Sequence, residues 1–276
     1  GAYGYNGPIG KVSEPDFVKY FNASLKNYLQ QSNVVTEFVR YCPIINNRIF
    51  HTYTNQIDVL DNIYIDLSKG IEDVWNNSFE YNVRKHIHKA EKNNMSTFFF
   101  QGDEINDNNL NIFNNIYINT MQRKDADKYY LFNKDFYNKL FHYLGGYSLL
   151  CVTYYDNIPI GAEIVVKGPK IAYGFLLGTL KEYNKLNTAT FEKWELIKFL
   201  YKEGIKIYSF GGGKERYDDI YKFKKSFSKN CNNPFFIGTY VHQPDIYEII
   251  QSQWKERYPA AATKYANKIQ GYRQLA

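Results

Sequence analysis

The sequence predicts an α/β protein with mixed central sheets flanked by helices, and three observations carry that prediction. Several long segments repeat apolar residues at three- and four-residue spacing, the helical period, while others alternate or run apolar between turn signals. The two kinds of segment interleave along the chain instead of segregating into an all-helical and an all-strand half. With 27 Tyr, 20 Phe and 3 Trp among 276 residues, the chain also has the bulk for a large core and lacks the composition of a disordered polypeptide.

Taken in order, Ser13-Glu14-Pro15 reads as a helix start, and Phe17, Phe21, Leu25, Tyr28 and Leu29 keep one face apolar to Gln31. Strands are predicted at Val34 to Val39, ending before Pro43, and at 58–66, where Ile63, Ile65 and Leu67 alternate. From Ile71 to Lys92, Trp75, Phe79, Val83, Ile87 and Ala90 share one side of a helix. Lys85, Lys89 and Lys92 form a basic side. Thr97 to Phe100 reads as a short strand, and the Asp/Asn/Gly-rich stretch after it as a domain boundary near residue 100. Two helices follow, one through Leu110, Phe113, Tyr117 and Thr120 and one through Phe136, Leu140 and Tyr143, closed by Gly145-Gly146. Three β-runs, 147–154, 158–166 and 171–177, are separated by Asp156-Asn157 and Gly168-Pro169 and form an antiparallel meander. Thr190, Trp194, Ile197 and Tyr201 mark a helix ending at Gly204. A strand over 205–210, a triple-glycine turn, a helix over 221–227, a strand over 235–240 and a helical tail with Tyr247, Ile250 and Trp254 complete the chain.

The 34 basic and 28 acidic side chains leave a net charge of +6, which favours anionic partners without amounting to a dedicated nucleic-acid binder. Cys42, Cys151 and Cys231 are widely spaced, so neither a disulfide framework nor a zinc-binding spacing is present, and a reducing, cytoplasmic setting is expected. No run reaches the roughly 18 apolar residues of a membrane span. His86 and His88, two apart on a helix, do not share a face and make poor metal partners, and no metal is expected.

Strand, two helices, three-strand meander, helix, strand, helix, strand is the order of the GNAT-type acyltransferase fold. The phrases Tyr3-Gly4-Tyr5-Asn6-Gly7-Pro8, Glu37-Phe38-Val39-Arg40, Arg84 through Lys89-Ala90, Met121-Gln122-Arg123-Lys124, Phe210-Gly211-Gly212-Gly213 and Phe223-Lys224 resemble, in the same order, those of the Fem-type peptidyltransferases. The resemblance implies tandem GNAT-type domains and transfer of amino acids from aminoacyl-tRNA to peptidoglycan precursors. It divides the chain into a first domain over 1–100, a second over 101–240 and a helical tail over 241–276. Family members carry a segment ahead of the first phrase that supplies opening strands and part of the substrate contacts. Here the sequence starts at Gly1, so the first domain is expected to be partial.

The function expected on this basis is acyl or aminoacyl transfer to an amine of a cell-wall or glycan precursor. Aminoacyl-tRNA would be the donor, with no further cofactor required. The acceptor would be an anionic nucleotide- or lipid-linked precursor, which places the protein in the cytoplasm or at the inner face of the membrane. In GNAT enzymes that use acetyl-coenzyme A, a glycine-rich turn lets backbone N–H groups hold the pyrophosphate. The corresponding stretch, Leu180 to Thr190, contains no glycine, which counts against that donor. An acetyl-coenzyme A-dependent N-acyltransferase acting on a nucleotide sugar or polysaccharide is the alternative, and a non-catalytic binding module of the same fold is a third.

Within that expectation the resemblance makes Lys224 the catalytic group, binding phosphate or stabilising the oxyanion that forms when an amine attacks an acyl ester. Against this stands a solvated basic helix face that includes Lys222, Lys225 and Lys229. Arg123, beside Lys124, is expected to clamp a phosphate, or else to complement a helix end. Gly211, Gly212 and Gly213 would offer backbone amides, with Phe223 adjoining Lys224. Arg40 is expected to contact substrate, and Arg84 with the basic side of the 71–92 helix would contact tRNA or nucleotide phosphates, or stay solvated. Tyr173, like Tyr129-Tyr130 and Tyr154-Tyr155, could stack on a base or sugar. Asp125, Asp127 and Glu163 are three carboxylates among which a general base could be found.

Overall fold

A computed structural model describes residues 4–11 and 14–275 of the chain. Tyr3 of the first phrase and Ser13 of the first helix start lie outside the described residues. The chain forms two compact units. One takes the residues up to Asp61 and those from Asn233 on, and the other takes Asn62–Asn232. No helix among the described residues is long and apolar enough to cross a membrane.

In the first unit, α1 (Pro15–Gln31) carries Pro15 at its first turn, where a missing N–H costs nothing. Strand β1 (Thr36–Arg40) pairs antiparallel with β8 (Asn232–Val241), in register from Thr36 opposite Val241 to Arg40 opposite Ile237. The tail forms α8 (Pro244–Arg257) and α9 (Pro259–Lys264), with Trp254, Ala261 and Ala262 buried between them.

The second unit holds the mixed sheet. Strand β2 (Asn55–Asp66) enters it with residues 63–66, which pair antiparallel with β7 (Ile207–Gly211). From there the order runs through β6 (Ile171–Thr179), β5 (Ile158–Lys167) and β4 (Ser148–Tyr155) to the edge strand β3 (Met95–Gln101). Every neighbouring pair is antiparallel except β6 and β7. The period of two sorts the side chains: on β4, Leu149 and Cys151 join one core cluster, Leu150 and Val152 the other. One face is covered by α4 (Asp107–Arg123) and α5 (Lys134–Leu144), which bring Phe113, Tyr117, Tyr137 and Phe141. The other is covered by α3 (Tyr81–Ala90), α6 (Thr188–Lys202) and α7 (Asp219–Ser226), with Ile87, Trp194, Leu196 and Leu200 in its core.

Two expectations are revised. The single helix over 71–92 is broken into α2 (Ile71–Asp73), a π turn over Val74–Ser78 and α3, because Phe79 is extended. Arg84 donates from Nη1 to the carbonyls of Trp75 (3.2 Å) and Phe79 (2.7 Å), supplying the partners that the break removes. The boundary expected near residue 100 does not coincide with either end of the second unit. All of β3 pairs with β4. The polar stretch after β3 instead closes a turn: Glu104 accepts from the Gln101 N–H, and Asn106 caps α4 by accepting from the N–H groups of Asn108 and Asn109.

Candidate acyl-transfer site

The parallel pair β6–β7 makes the opening around which the candidate site is arranged. Its ladder joins Ile171 to Ile207, Ala172 to Tyr208 and Tyr173 to Ser209, then ends, although β6 continues to Thr179 and β7 to Gly211. The strands therefore part at the point where Phe210-Gly211-Gly212-Gly213 leaves the sheet. Gly211 has a φ of +72°, the left-handed conformation that turns the chain out of β7. The loop that follows is wound on the Asp218 carboxylate, which accepts from the N–H groups of Lys214 (2.7 Å), Glu215 (3.0 Å) and Tyr221 (2.7 Å), the last as the cap of α7. Burial opposes the charge on Asp218, but these bonds hold its carboxyl below the ordinary range.

Lys224 projects from α7 to this loop and donates to the Gly212 carbonyl at 2.6 Å. Burial, reinforced by the neighbouring Lys193 ammonium, lowers its pKa to about 8; Glu163 and Asp218 act in the opposite direction. Lys224 thus combines a lowered pKa with a place at an opened strand pair, the combination by which candidate sites are sought.

Behind Lys224 lies a buried polar cluster on the α6 face of the sheet. Lys193, on α6, spans both oxygens of Glu163 on β5, at 2.6 and 2.5 Å from Oε1 and Oε2, and meets the Tyr208 hydroxyl of β7 at 2.7 Å. That hydroxyl donates to Glu163 Oε1 at 3.0 Å, and burial first, then Glu163, pushes its own pKa well up. All three side chains are buried. Gly174 on β6 makes room for them: a Cβ there would lie 2.6 Å from Glu163 Oε1 and 3.0 Å from the Tyr208 hydroxyl. Next to them Glu192 accepts from the Thr153 hydroxyl at 2.9 Å through Oε2, while Oε1 is buried without a partner. Burial, then the Glu163 charge, raises its pKa to about 8, so Glu192 is a neutral acid at pH 7.

Cys151, Glu163 and Glu192 bring one ligand atom each within 4.8 Å of one another, the spacing of a metal site. The chemistry of the set does not fit one. Lys193 already supplies Glu163 with its cation, and burial keeps both Cys151 and Glu192 in their protonated forms.

The predicted site residues separate. Gly211, Gly212 and Gly213 converge with Lys224, but Phe223 packs its ring against Phe227 in the core. Arg123 donates from Nη1 to the Thr179 carbonyl at 3.0 Å, fastening the end of α4 to the end of β6, and Lys124 beside it is exposed. Arg84 serves the helix break described above. Arg40, in the other unit, donates to the Gly4 carbonyl at 2.9 Å and lies 5.0 Å over the Phe235 ring, so both arginines carry structural bonds. Tyr173 lines a shallow cavity of 530 Å³ with Leu144, Tyr147, Val166 and Ile171. Glu163 is the one of the three candidate carboxylates that is buried; Asp125 and Asp127 are exposed. The stretch after β6 is a 3-10 turn over Lys181–Leu186 leading to Asn187, whose φ of 60° opens α6 without a side-chain cap.

Residues 77–219 match the family model of the acetyltransferase (GNAT) domain. No curated protein sequence matches the chain. Among solved structures, the C-terminal domain of a putative lysylphosphatidylglycerol synthetase from Agrobacterium fabrum aligns with a TM-score of 0.56 at 10% identity, over 82% of this chain and 72% of that one. L-PGS from Bacillus licheniformis aligns with a TM-score of 0.58 at 11% identity, over 78% of this chain and 71% of that one. FemX aligns with a TM-score of 0.55 at 14% identity, over 70% of this chain and 64% of that one. At these identities the likeness is one of fold.

Proposed function

The chain belongs to the acetyltransferase (GNAT) domain family, and on that premise we propose that it transfers an activated acyl or aminoacyl group to an amine of an anionic glycan- or lipid-linked precursor. The observation that carries this reading is Lys224, held by the Gly212 carbonyl where β6 and β7 part. A positive charge fixed there is placed to stabilise the oxyanion that develops as an amine attacks an acyl carbonyl, with the loop amides beside it. The attacking amine forms the new C–N bond, the ester C–O or thioester C–S bond breaks, and the proton lost by the amine is balanced by one taken up by the leaving hydroxyl or thiol, by way of solvent. Catalysis then rests on positioning and charge, without a covalent enzyme intermediate.

Aminoacyl-tRNA is the donor this reading favours. The glycine-free turn over Lys181–Leu186 supports it, as does the fold shared with FemX and with a lysylphosphatidylglycerol synthetase domain. The acetyltransferase family match favours acetyl-coenzyme A as the second reading.

The test is turnover with labelled aminoacyl-tRNA or acetyl-coenzyme A, each offered a UDP-linked peptidoglycan precursor or phospholipid vesicles. Lys224→Ala is expected to lower turnover about a hundredfold or more with the fold intact. Unchanged turnover removes Lys224 from the mechanism, and failure of both donors leaves a binding module.

A further inference from the structure

Among the described residues no carboxylate lies within ion-pair distance of Lys224, although two carboxylates are close enough to act on its charge. Each of the two is already engaged. Asp218 is taken up by three backbone N–H groups of its own loop. Glu163 is spanned at both oxygens by Lys193 and contacted by Tyr208. The Lys193 Nζ lies 5.3 Å from the Phe210 ring, immediately before the glycines that receive Lys224.

We propose that Lys193 is a positioning residue of the acyl-transfer site, which by claiming Glu163 keeps Lys224 without a counter-ion and so open to an anionic substrate group. This inference rests on the role proposed above for Lys224. The ligand chemistry is that of a phosphate or a developing oxyanion.

The cluster's construction argues for such a task over packing alone. A buried ion pair adds little stability relative to well-packed apolar side chains of the same volume, so stability does not call for one here. Its consequence is specific: it engages the buried carboxylate that acts on Lys224 and sets a second ammonium within reach of Lys224. The charged and titratable groups facing Lys224 are Lys193 from α6, Glu163 from β5 and Asp218 ahead of α7, with Tyr208 completing the clamp from β7. Burial first and then Lys193 push Lys224 toward its neutral form, and Glu163 and Asp218 pull it toward its charged form. An anion bound at Lys224 would relieve the uncompensated charge, and binding and protonation would rise together.

The experiment reads Lys224 directly. The whole protein is labelled with a trace of acetic anhydride across pH 6–10, and modification of Lys224 is followed by mass spectrometry with and without pyrophosphate. The wild-type midpoint is expected near 8 and is expected to rise when pyrophosphate binds. Lys193→Met leaves Glu163 to Lys224, so the midpoint should rise by about one pH unit and the pyrophosphate effect should shrink. The paired variant Glu163→Gln with Lys193→Met removes both influences and should return the midpoint close to wild type, with the pyrophosphate effect restored. This variant buries no unpaired charge and keeps the test available if Lys193→Met fails to fold. An unmoved midpoint in Lys193→Met, or a fall in the paired variant, overturns the proposal. These readouts do not depend on turnover, so an inactive-site result from Lys224→Ala and a failed labelling result are distinguishable.

Discussion

In the larger unit Glu163 meets an ammonium that contacts both its oxygens. In the other unit Glu37 meets two imidazoles and a phenol: His51 Nε2 lies 3.2 Å from Oε1, His242 Nε2 lies 3.1 Å from Oε2, and the Tyr53 hydroxyl donates to Oε2 at 2.8 Å. His51 and His242 are as buried as Lys193, and Nδ1 of each is buried without a partner. The first arrangement holds a carboxylate by an ammonium that meets both of its oxygens. The second rests on hydrogen bonds to Glu37 from the Tyr53 hydroxyl and with His242 Nε2, and it loses its carboxylate in acid. Burial works against the Glu37 charge, but the partners, His51 first, hold its pKa below the ordinary value. The comparison separates a buried pair that fixes charge from a buried network that anchors backbone, since β1, the 51–53 turn and the end of β8 all meet on Glu37.

The widest gap between the two regions should appear when one partner is removed. Glu163→Gln or Lys193→Met strands a buried charge and is expected to cost about 3–5 kcal/mol, most of it regained in the paired variant. Urea denaturation followed through Trp75 and Trp194, both in the larger unit, measures this, with Trp254 reporting the other unit. If the single and paired variants are equally unstable, Glu163 and Lys193 are not coupled and the contrast with Glu37 collapses.

Glu37→Gln removes the charge while keeping an oxygen to accept from the Tyr53 hydroxyl. It should cost about 2 kcal/mol, the loss of hydrogen bonds to an ionised acceptor. The sign in pH follows from the lowered pKa: the wild-type contribution is present above 4.5 and is lost as pH falls through the folded-state value. Glu37→Gln should therefore flatten the acid limb of stability reported by Trp254. An unchanged acid limb would show that the Glu37 charge does not support the fold.

How legible these regions were in the sequence depended on which kind of pattern carried them. The strand and helix order followed from periodicity, because the sheet buries both faces and its strands stand out as apolar runs between turn residues. Lys224 was reached through the Phe-Lys phrase, and Glu163 only as one of three carboxylates. Glu192 and Lys193 were missed because α6 reads as a stripe through Thr190, Trp194, Ile197 and Tyr201. The helix is in fact buried on most sides, and Glu192 and Lys193 face the sheet. The available signal was glycine inside strands, Gly161 on β5 and Gly174 on β6. A Cβ at Gly161 would lie 2.7 Å from Glu192 Oε2, and one at Gly174 would lie 3.6 Å from Lys193 Nζ. The boundary near residue 100 misled because Asn and Asp serve caps as readily as linkers, and only tertiary pairing tells the two apart.

Glu192 sharpens the contrast by a third solution, a buried carboxyl that stays neutral. Its pKa of about 8 in the folded protein lies above 4.5, so the folded state keeps a proton that the unfolded chain releases between those values. Stability should then fall as pH rises from about 4.5 to about 8, by up to about 1.4 kcal/mol per pH unit from this group. Glu192→Gln imitates the protonated form, keeps an acceptor for the Thr153 hydroxyl and has no proton to lose. It should remove that slope, leaving the variant weaker than wild type near pH 5, where the acid is comfortable, and closer to it or above it near pH 8. Urea midpoints at pH 5, 6.5 and 8 read the slope. A slope that persists in Glu192→Gln would mean that Glu192 is ionised in the fold, and Lys193 would then be answering two carboxylates instead of one. That outcome would leave Lys224 beside a net negative cluster, and the reason for its lowered pKa would have to be sought in burial alone.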